Sequence, residues 1–578
     1  MRAAAALVAA ALLALAGLVP SVPARAADAP TAASGSGRRP DPGRPSALRP
    51  PAPRLDPARA TAIALRDPKL RAERASHRGS YGYATREGGR WKVDLWTRKG
   101  SQIGTAYVDD ATGAVTEAWT GYQVAWTMAR GYPGAFGRRV SALWVWLPLC
   151  ALFLVPWIPT GRGRRARLLH LDLLVLVGGT SAAFAAFNSA RIDLMVPILF
   201  PCLAYLLARM LRLGFRRAPA GGPRDPWRPL VPLPWLAVGL VFLVGFRVGL
   251  NVVDSNVIDV GHASVVGADR LLRGERVYGG FPKGLERGDT YGPVTYEAYA
   301  PFVAVLGAGR PDDLPAAHAA AIAFDLLTLL GLFWLGRMVR GPATGLLLAW
   351  SWATFPFTLF VANSNANDSL VALLLTCALL AAARPAARGA AVAAAGLAKI
   401  APLALAPLLA RAPGRGWRGR DLGLYALGFA VVALLAMAPF TGDPLAVWRR
   451  TVGFQDARDA PFSPWGLYGW PDGIRTGVQA ATVALALALA FVPRRRDLAQ
   501  VAALGAAVLI ALQLGVVYWF FPYLVWLVPF ALAAIVLRFA PEERPAPARV
   551  ADRAVRDRPA PAPGRARSRR PASAPSSG

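Results

Sequence analysis

The stretch Leu230-Val-Pro-Leu-Pro-Trp-Leu-Ala-Val-Gly-Leu-Val-Phe-Leu-Val-Gly-Phe-Arg-Val-Gly249 runs on into the polar Asp254-Ser-Asn-Val-Ile-Asp259. A helix needs about 20 apolar residues to cross roughly 30 Å of hydrocarbon, so this run predicts a transmembrane helix whose end meets water at the acids. Carboxylates at such a boundary point to function, because an unpaired charge in lipid is costly. The polar loop continues through Gly274, Tyr278 and Tyr291-Gly-Pro293 to Tyr299-Ala-Pro301.

Runs of the same kind recur at 141–158, 168–188, 192–210, 316–335, 343–362 and 369–380, and again at 390–410, 422–440, 478–492, 501–517 and 520–537. Together they predict about twelve crossings. The 578 residues are 54% hydrophobic with a mean hydropathy of +0.36, too apolar for an ordinary soluble chain of this length. The expected fold class is an all-α polytopic membrane protein with a small exported α+β domain.

Residues 1–26 have the charged, apolar and small-residue order of a cleavable secretory signal, an uncleaved anchor being the alternative; either one exports the chain beyond residue 26. Residues 27–54, rich in Pro, Ala, Ser and Gly, read as a disordered linker. An exported α+β domain is expected over 55–137. It starts with a helical stretch at 56–74, followed by Arg90-Trp-Lys-Val-Asp-Leu-Trp96, in which Trp91, Val93 and Leu95 alternate with polar residues as in a half-buried strand. Two further strands are joined through Asp109-Asp-Ala-Thr-Gly113, whose Asp and Gly content is that of a hairpin turn. Turn chemistry explains Asp109 and Asp110 better than a metal or sugar-nucleotide motif does. Accessory transmembrane helices are expected over 138–229, the main membrane domain over 230–540, and a basic cytoplasmic tail over 541–578.

The net charge is +31 and the pI near 11.2. Arginines cluster at 162–167, 212–228, 411–420 and 494–496 and in the tail after Arg538. Short cytoplasmic loops retain positive charge, which places these clusters inside and the N-terminus outside. The basic tail then faces anionic membrane lipid, and nucleic acid is not an expected partner. Cys150, Cys202 and Cys377 all lie in apolar runs, so neither disulfides nor a zinc site is expected. There is no Gly-rich dinucleotide loop and no HExxH motif, which argues against a nucleotide-sugar enzyme or a zinc hydrolase.

Asp259, Gly274, Tyr278, Tyr291-Gly-Pro293, Tyr299-Ala-Pro301, Gly396-Leu-Ala-Lys-Ile-Ala-Pro402, Ser463-Pro-Trp465 and Tyr518-Trp-Phe-Phe-Pro-Tyr523 carry a resemblance. In order and membrane placement they resemble polyprenol-phosphate-dependent glycosyltransferases of the GT-C superfamily, most closely glycosyltransferase family 87, over roughly residues 230–540. His262 departs from the pattern, which often shows an aromatic residue there. Separately, Tyr107-Val-Asp-Asp-Ala-Thr-Gly113 with Trp119-Thr-Gly121 resembles a PepSY-like module, which implies a binding or regulatory role. The transferase resemblance implies a sugar carried on a polyprenyl monophosphate and transferred with inversion to a glycolipid, polysaccharide or protein, with no cofactor. Mannose is the implied sugar, arabinofuranose or another pentose the alternative.

Such chemistry needs a base for an acceptor hydroxyl, and a carboxylate within hydrogen-bond reach serves. Asp259 is the expected base and Asp254 its reserve or an acceptor-orienting partner; the alternative makes both solvated loop acids or helix caps. A departing phosphate needs positive charge, for which Lys399 is the candidate, with Arg247 and Arg449 behind it. Lys399 sits mid-run between Gly396 and Pro402, where two short helices meeting at a break would line a cavity. Its alternative is an ion pair with an intramembrane acid such as Asp325. If 291–307 lies along the surface, Asn363-Ser-Asn-Ala-Asn-Asp368 emerges on the side of Asp259. Asn367 and Asp368 are then sugar or acceptor contacts, or helix caps. His262, Tyr278, Tyr291 and Trp465 complete the expected substrate surface. A transporter or lipid-linked sugar flippase would use a similar number of spans but predicts related halves, and no convincing internal repeat is visible. A sensor anchored by its membrane part is the other rival: deleting 55–131 should spare a transferase's basal activity and abolish a sensor.

Overall fold

The computed structural model describes residues 54–539 and Gly578, except 132–135, 159–163, 217–226, 228, 312, 441 and 454–459. The expected signal segment, nearly all of the linker, the basic tail and part of the arginine clusters lie outside the described residues.

The N-terminal module begins with α1 (Pro57–Ala64) and α2 (Pro68–Ser76). Each follows an aspartate and starts on a proline: Asp56 accepts from the Arg59 amide and Asp67 from the Lys69 amide, the arrangement that satisfies orphan donors at a helix start. Four strands come next, β1 (Tyr81–Glu87), β2 (Arg90–Trp96), β3 (Gln102–Asp109) and β4 (Val115–Thr120), paired antiparallel in sequence order. Side chains alternate across a strand: Trp91 and Val93 of β2 join Ala106 and Val108 of β3 against Ala60, Ala64 and Leu70 of the helices. Asp109 accepts from the amides of Ala111 and Thr112 and from the Thr112 hydroxyl, and those bonds hold its carboxyl below the usual range. Asp110 turns inward to the Leu55 amide at 3.0 Å and the Trp91 indole at 2.9 Å. The pair closes a turn and anchors the entry to α1.

Beyond the module come α3 (Leu143–Leu154), α4 (Ala166–Asn188), α5 (Ile192–Phe215), α6 (Leu233–Val253), α7 (Asp259–Leu272) and α8 (Pro293–Leu306). The chain continues through α9 (Pro315–Arg340), α10 (Pro342–Thr354), α11 (Pro356–Asn363), α12 (Asp368–Leu380) and α13 (Pro385–Ala398), and finally α14 (Gly419–Met437), α15 (Asp472–Phe491), α16 (Leu498–Leu514) and α17 (Leu524–Phe539). Among the described residues, α4, α5, α6, α9, α14, α15 and α17 are the 7 helices long and apolar enough to cross a membrane, or 8 counting α10 and α11, which bend by 58°, as one span.

That is fewer than the expected dozen. The 13 residues of α12 rise only about 20 Å at 1.5 Å each. Pro148 lies inside the short α3, and the apolar run 390–410 breaks after α13 into short turns. Hydrophobicity alone could not separate such buried half-length pieces from spans.

The spans that do form carry large apolar side chains outward: Trp235, Val238 and Phe242 on α6, and Leu427, Val431, Leu434 and Leu435 on α14 are exposed. On the opposite face of α6, Leu236, Leu240, Leu243 and Arg247 are buried. A helix that turns an apolar face outward and its one charged residue, Arg247, inward is suited to lipid. This is the architecture of a mostly helical membrane protein. At its centre α17 is buried from Leu524 to Leu537 and packs on α10, α12 and α16.

Backbone bonds gather four junctions at one end of the bundle. Asn256 and Ile258, between α6 and α7, donate to the carbonyls of Asn363 and Ser364, between α11 and α12. Gly292, at the start of α8, donates to Ala398 at the end of α13 at 3.0 Å. The approach is so close that a Cβ on Gly292 would stand 1.9 Å from the Leu397 carbonyl oxygen, and only glycine fits.

Candidate functional site

At that end of the bundle Asp368 opens α12, and Lys399 leaves α13 in an extended conformation (φ −141°, ψ 139°). The extended residue directs the ammonium to Asp368: Nζ stands 2.6 Å from Oδ1, with the carboxylate 2% and the lysine 13% exposed. The Trp526 indole donates to the same oxygen at 2.8 Å. The rings of Trp526, Tyr291 and Tyr523 stand 5.2, 5.5 and 6.0 Å from the ammonium, within range of cation–π attraction. Lys399 is thus paired with a buried acid, as the alternative expected, but the partner is Asp368 and not Asp325.

Asp325 belongs to Arg247. Two parallel bonds of 2.6 and 3.0 Å join them, Trp352 donates to the same carboxylate, and Arg247 also reaches the Ala353 carbonyl. Both side chains are almost fully buried. This is a clamp between α6, α9 and α10.

Asp259, Asp368, Lys399 and Tyr291 line a cavity of about 740 Å³, with Arg287 and Arg475 adding cations and Tyr518, Phe520, Tyr523 and Trp526 forming an aromatic wall. Arg247 is not part of that lining. Asp259 is the first residue of α7 and is exposed; a helix N-terminus favours its negative charge. Four side chains singled out from sequence therefore meet on one cavity: Asp259, Asp368, Lys399 and Tyr291.

No protein-family model, curated protein or solved structure matches this chain.

The other expected residues stand elsewhere. Asp254 ends α6, accepts from the Arg139 amide at 3.0 Å and from the Asn363 side chain through its carbonyl. It ties loops together and does not line the cavity. His262, one turn along α7 from Asp259, is half-buried outside the cavity wall, and burial pushes its imidazole below its ordinary value, Asp259 opposing. Tyr278 is buried and donates to the Tyr291 carbonyl at 2.9 Å, so it positions Tyr291 from behind; burial pushes its phenol well up. Asn367 donates to the Ser264 hydroxyl at 3.0 Å, bracing α12 on α7. Arg449 is an exposed partner of Asp443 at 3.7 Å, although its neighbours Trp448 and Thr451 line the cavity. Trp465 donates to the Leu514 carbonyl at 2.9 Å and packs into the interior.

Sequence reading missed Arg287, Arg475, Trp126 and Met128, which line the same cavity. Arg287 lay inside the loop already suspected and carried a charge that could have marked it. Trp126 and Met128 gave no local sign, since only tertiary folding brings them there.

Proposed function

We propose that the protein is an integral membrane glycosyltransferase that takes a sugar, mannose by resemblance, from a polyprenyl phosphate and passes it with inversion to a glycolipid or polysaccharide on the exported face. One observation carries this reading: an exposed carboxylate at a helix N-terminus and a cation at a helix break face one cavity whose remaining wall is largely aromatic and apolar. Asp259 takes the proton of the acceptor hydroxyl as its oxygen bonds to the sugar's anomeric carbon. The bond from that carbon to the phosphate oxygen breaks, and polyprenyl phosphate departs. Lys399, aimed by Asp368 and the surrounding rings, stabilises the charge that grows on the leaving phosphate.

The test compares purified wild type and Asp259→Asn with labelled polyprenyl phosphosugars and envelope acceptors. Loss of the base should lower turnover by about 10²- to 10⁴-fold, whereas equal turnover removes Asp259 from the mechanism. The break of α13 at Lys399 and the bend between α10 and α11 also suit a transporter or lipid-linked sugar flippase, since such proteins build midplane sites from broken helices. Sugar transfer in detergent, where no bilayer separates two compartments, favours the transferase over that alternative.

A further inference from the structure

Part of the cavity wall comes from outside the membrane helices. After β4 the chain turns at Gly121 (φ 58°) into two short turns, Tyr122–Ala125 and Thr127–Arg130. This strap puts Trp126 and Met128 into the cavity wall. It is anchored along its length. The Gln123 amide donates to the carbonyls of Ala129 and Ala190 at 3.0 and 3.1 Å. The buried Arg130 donates back to those of Gln123 and Val124 at 2.8 and 3.1 Å. At the strap's end, a Cβ on Gly131 would stand 2.3 Å from the Ala190 nitrogen.

The strap joins the wall that leads to the ion pair. The ring of Trp126 lies 5.6 Å from that of Phe462 and 5.8 Å from that of Tyr518, and the Tyr518 hydroxyl donates to the Met128 sulfur at 3.5 Å. Tyr518 starts the segment 518–526, whose other end, Tyr523 and Trp526, surrounds the Lys399 ammonium. The amides along this wall are occupied: Gln513 bonds the Tyr523 carbonyl and the Trp519 indole, and Gln479 the Gly515 carbonyl. What the strap end presents is therefore Trp126, Met128, Phe136, Val516 and Phe520, an apolar and polarizable surface. The charges, Lys399 and Arg287 among them, lie along the same cavity. A cavity with cations and a long hydrocarbon wall complements an amphipathic lipid phosphate in both charge and polarity.

We propose that Trp126 and Met128 determine specificity for the hydrocarbon chain of that lipid phosphate, so that the N-terminal module supplies part of the site. The inference rests on the lipid-phosphate donor of the proposed transferase but not on the transfer step. Its test uses the full-length protein in detergent, with binding of a long-chain polyprenyl phosphate compared with that of geranyl phosphate. Replacing both residues in Trp126→Ala/Met128→Ala should weaken long-chain binding by about 10-fold or more, the order expected for uncovering one large side chain, and change geranyl phosphate binding by less than about 2-fold. The conservative Trp126→Phe/Met128→Leu should restore most of the loss. A diazirine-bearing polyprenyl phosphate should label 122–130 in the wild type, a readout that needs no variant. Labelling confined to other segments, or unchanged long-chain affinity in the folded double variant, overturns the proposal. Sugar turnover is followed in parallel: labelling of 122–130 without turnover counts against the transferase and leaves this inference standing.

Discussion

Lys399 and Asp368, 2.6 Å apart, join the end of α13 to the start of α12 in a setting closed by Trp526, Tyr523 and Tyr291. Breaking a buried pair strands one charge, which costs about 3–5 kcal/mol. Asp368→Asn is therefore expected to lower thermal stability strongly in detergent, and Asp368→Leu/Lys399→Met to recover much of the loss while remaining inactive. A double variant no more stable than Asp368→Asn would show that the pair is not coupled.

Arg247 and Lys399 should separate by phenotype. Arg247 is clamped to Asp325 away from the cavity, so Arg247→Ala should cost about 3–5 kcal/mol of stability and leave the KM for the lipid donor unchanged in whatever protein remains folded. Lys399→Gln strands Asp368 and so also costs stability, but in the protein that remains folded it should in addition lower kcat, since it removes charge stabilisation from the departing phosphate. A fall in kcat of the folded Arg247→Ala protein equal to that of Lys399→Gln would place Arg247 in the site after all.

Gly292 offers a steric test. Its missing Cβ leaves room for the Leu397 carbonyl, and its amide holds the Ala398 carbonyl beside Lys399. Gly292→Ala must part α8 from α13, at the about 1–3 kcal/mol typical of overpacking, and displace Tyr291 and Lys399 together. The expected result is a lowered Tm with loss of activity; a variant with wild-type Tm would mean that the two segments separate freely.

Glu297 gives a pH signature. It lies on α8, and burial pushes its carboxyl up to about 7 from the ordinary 4.5. The folded protein then holds a proton that the unfolded chain releases, so this group favours folding below the unfolded value and loses that contribution as pH rises through about 7. Relative to Glu297→Gln, the wild type should lose stability between pH 5 and pH 8, measured by thermal unfolding. Parallel pH profiles for the two proteins would show that Glu297 binds its proton equally in the folded and unfolded states.

The strap alters one design suggested by sequence. Deleting 55–131 removes Trp126 and Met128 with the module, so it cannot distinguish a sensor from a transferase. A deletion that stops before β4's end still removes β3, on which the turn Tyr122–Ala125 packs, which makes point changes at Trp126 and Met128 the cleaner probe. The alternation of Trp91, Val93 and Leu95 announced β2 because a strand's two faces are written in successive residues. Nothing comparable announces a loop residue that reaches a cavity built from distant helices.

The chain by itself determined its solvent and its class. Whether a run such as 230–249 is long and apolar enough for a bilayer is a local property set by hydrocarbon thickness, and it needs no partner to be read. It also marked Asp259, Asp368, Lys399 and Tyr291, because charged and aromatic groups beside apolar runs are conspicuous. Tertiary structure alone decided which charges pair: Arg247 finds Asp325 across 78 positions and Lys399 finds Asp368 across 31. The physical reason is that an ion pair's energy depends on separation and burial in space, and neither quantity is encoded in any short stretch of sequence.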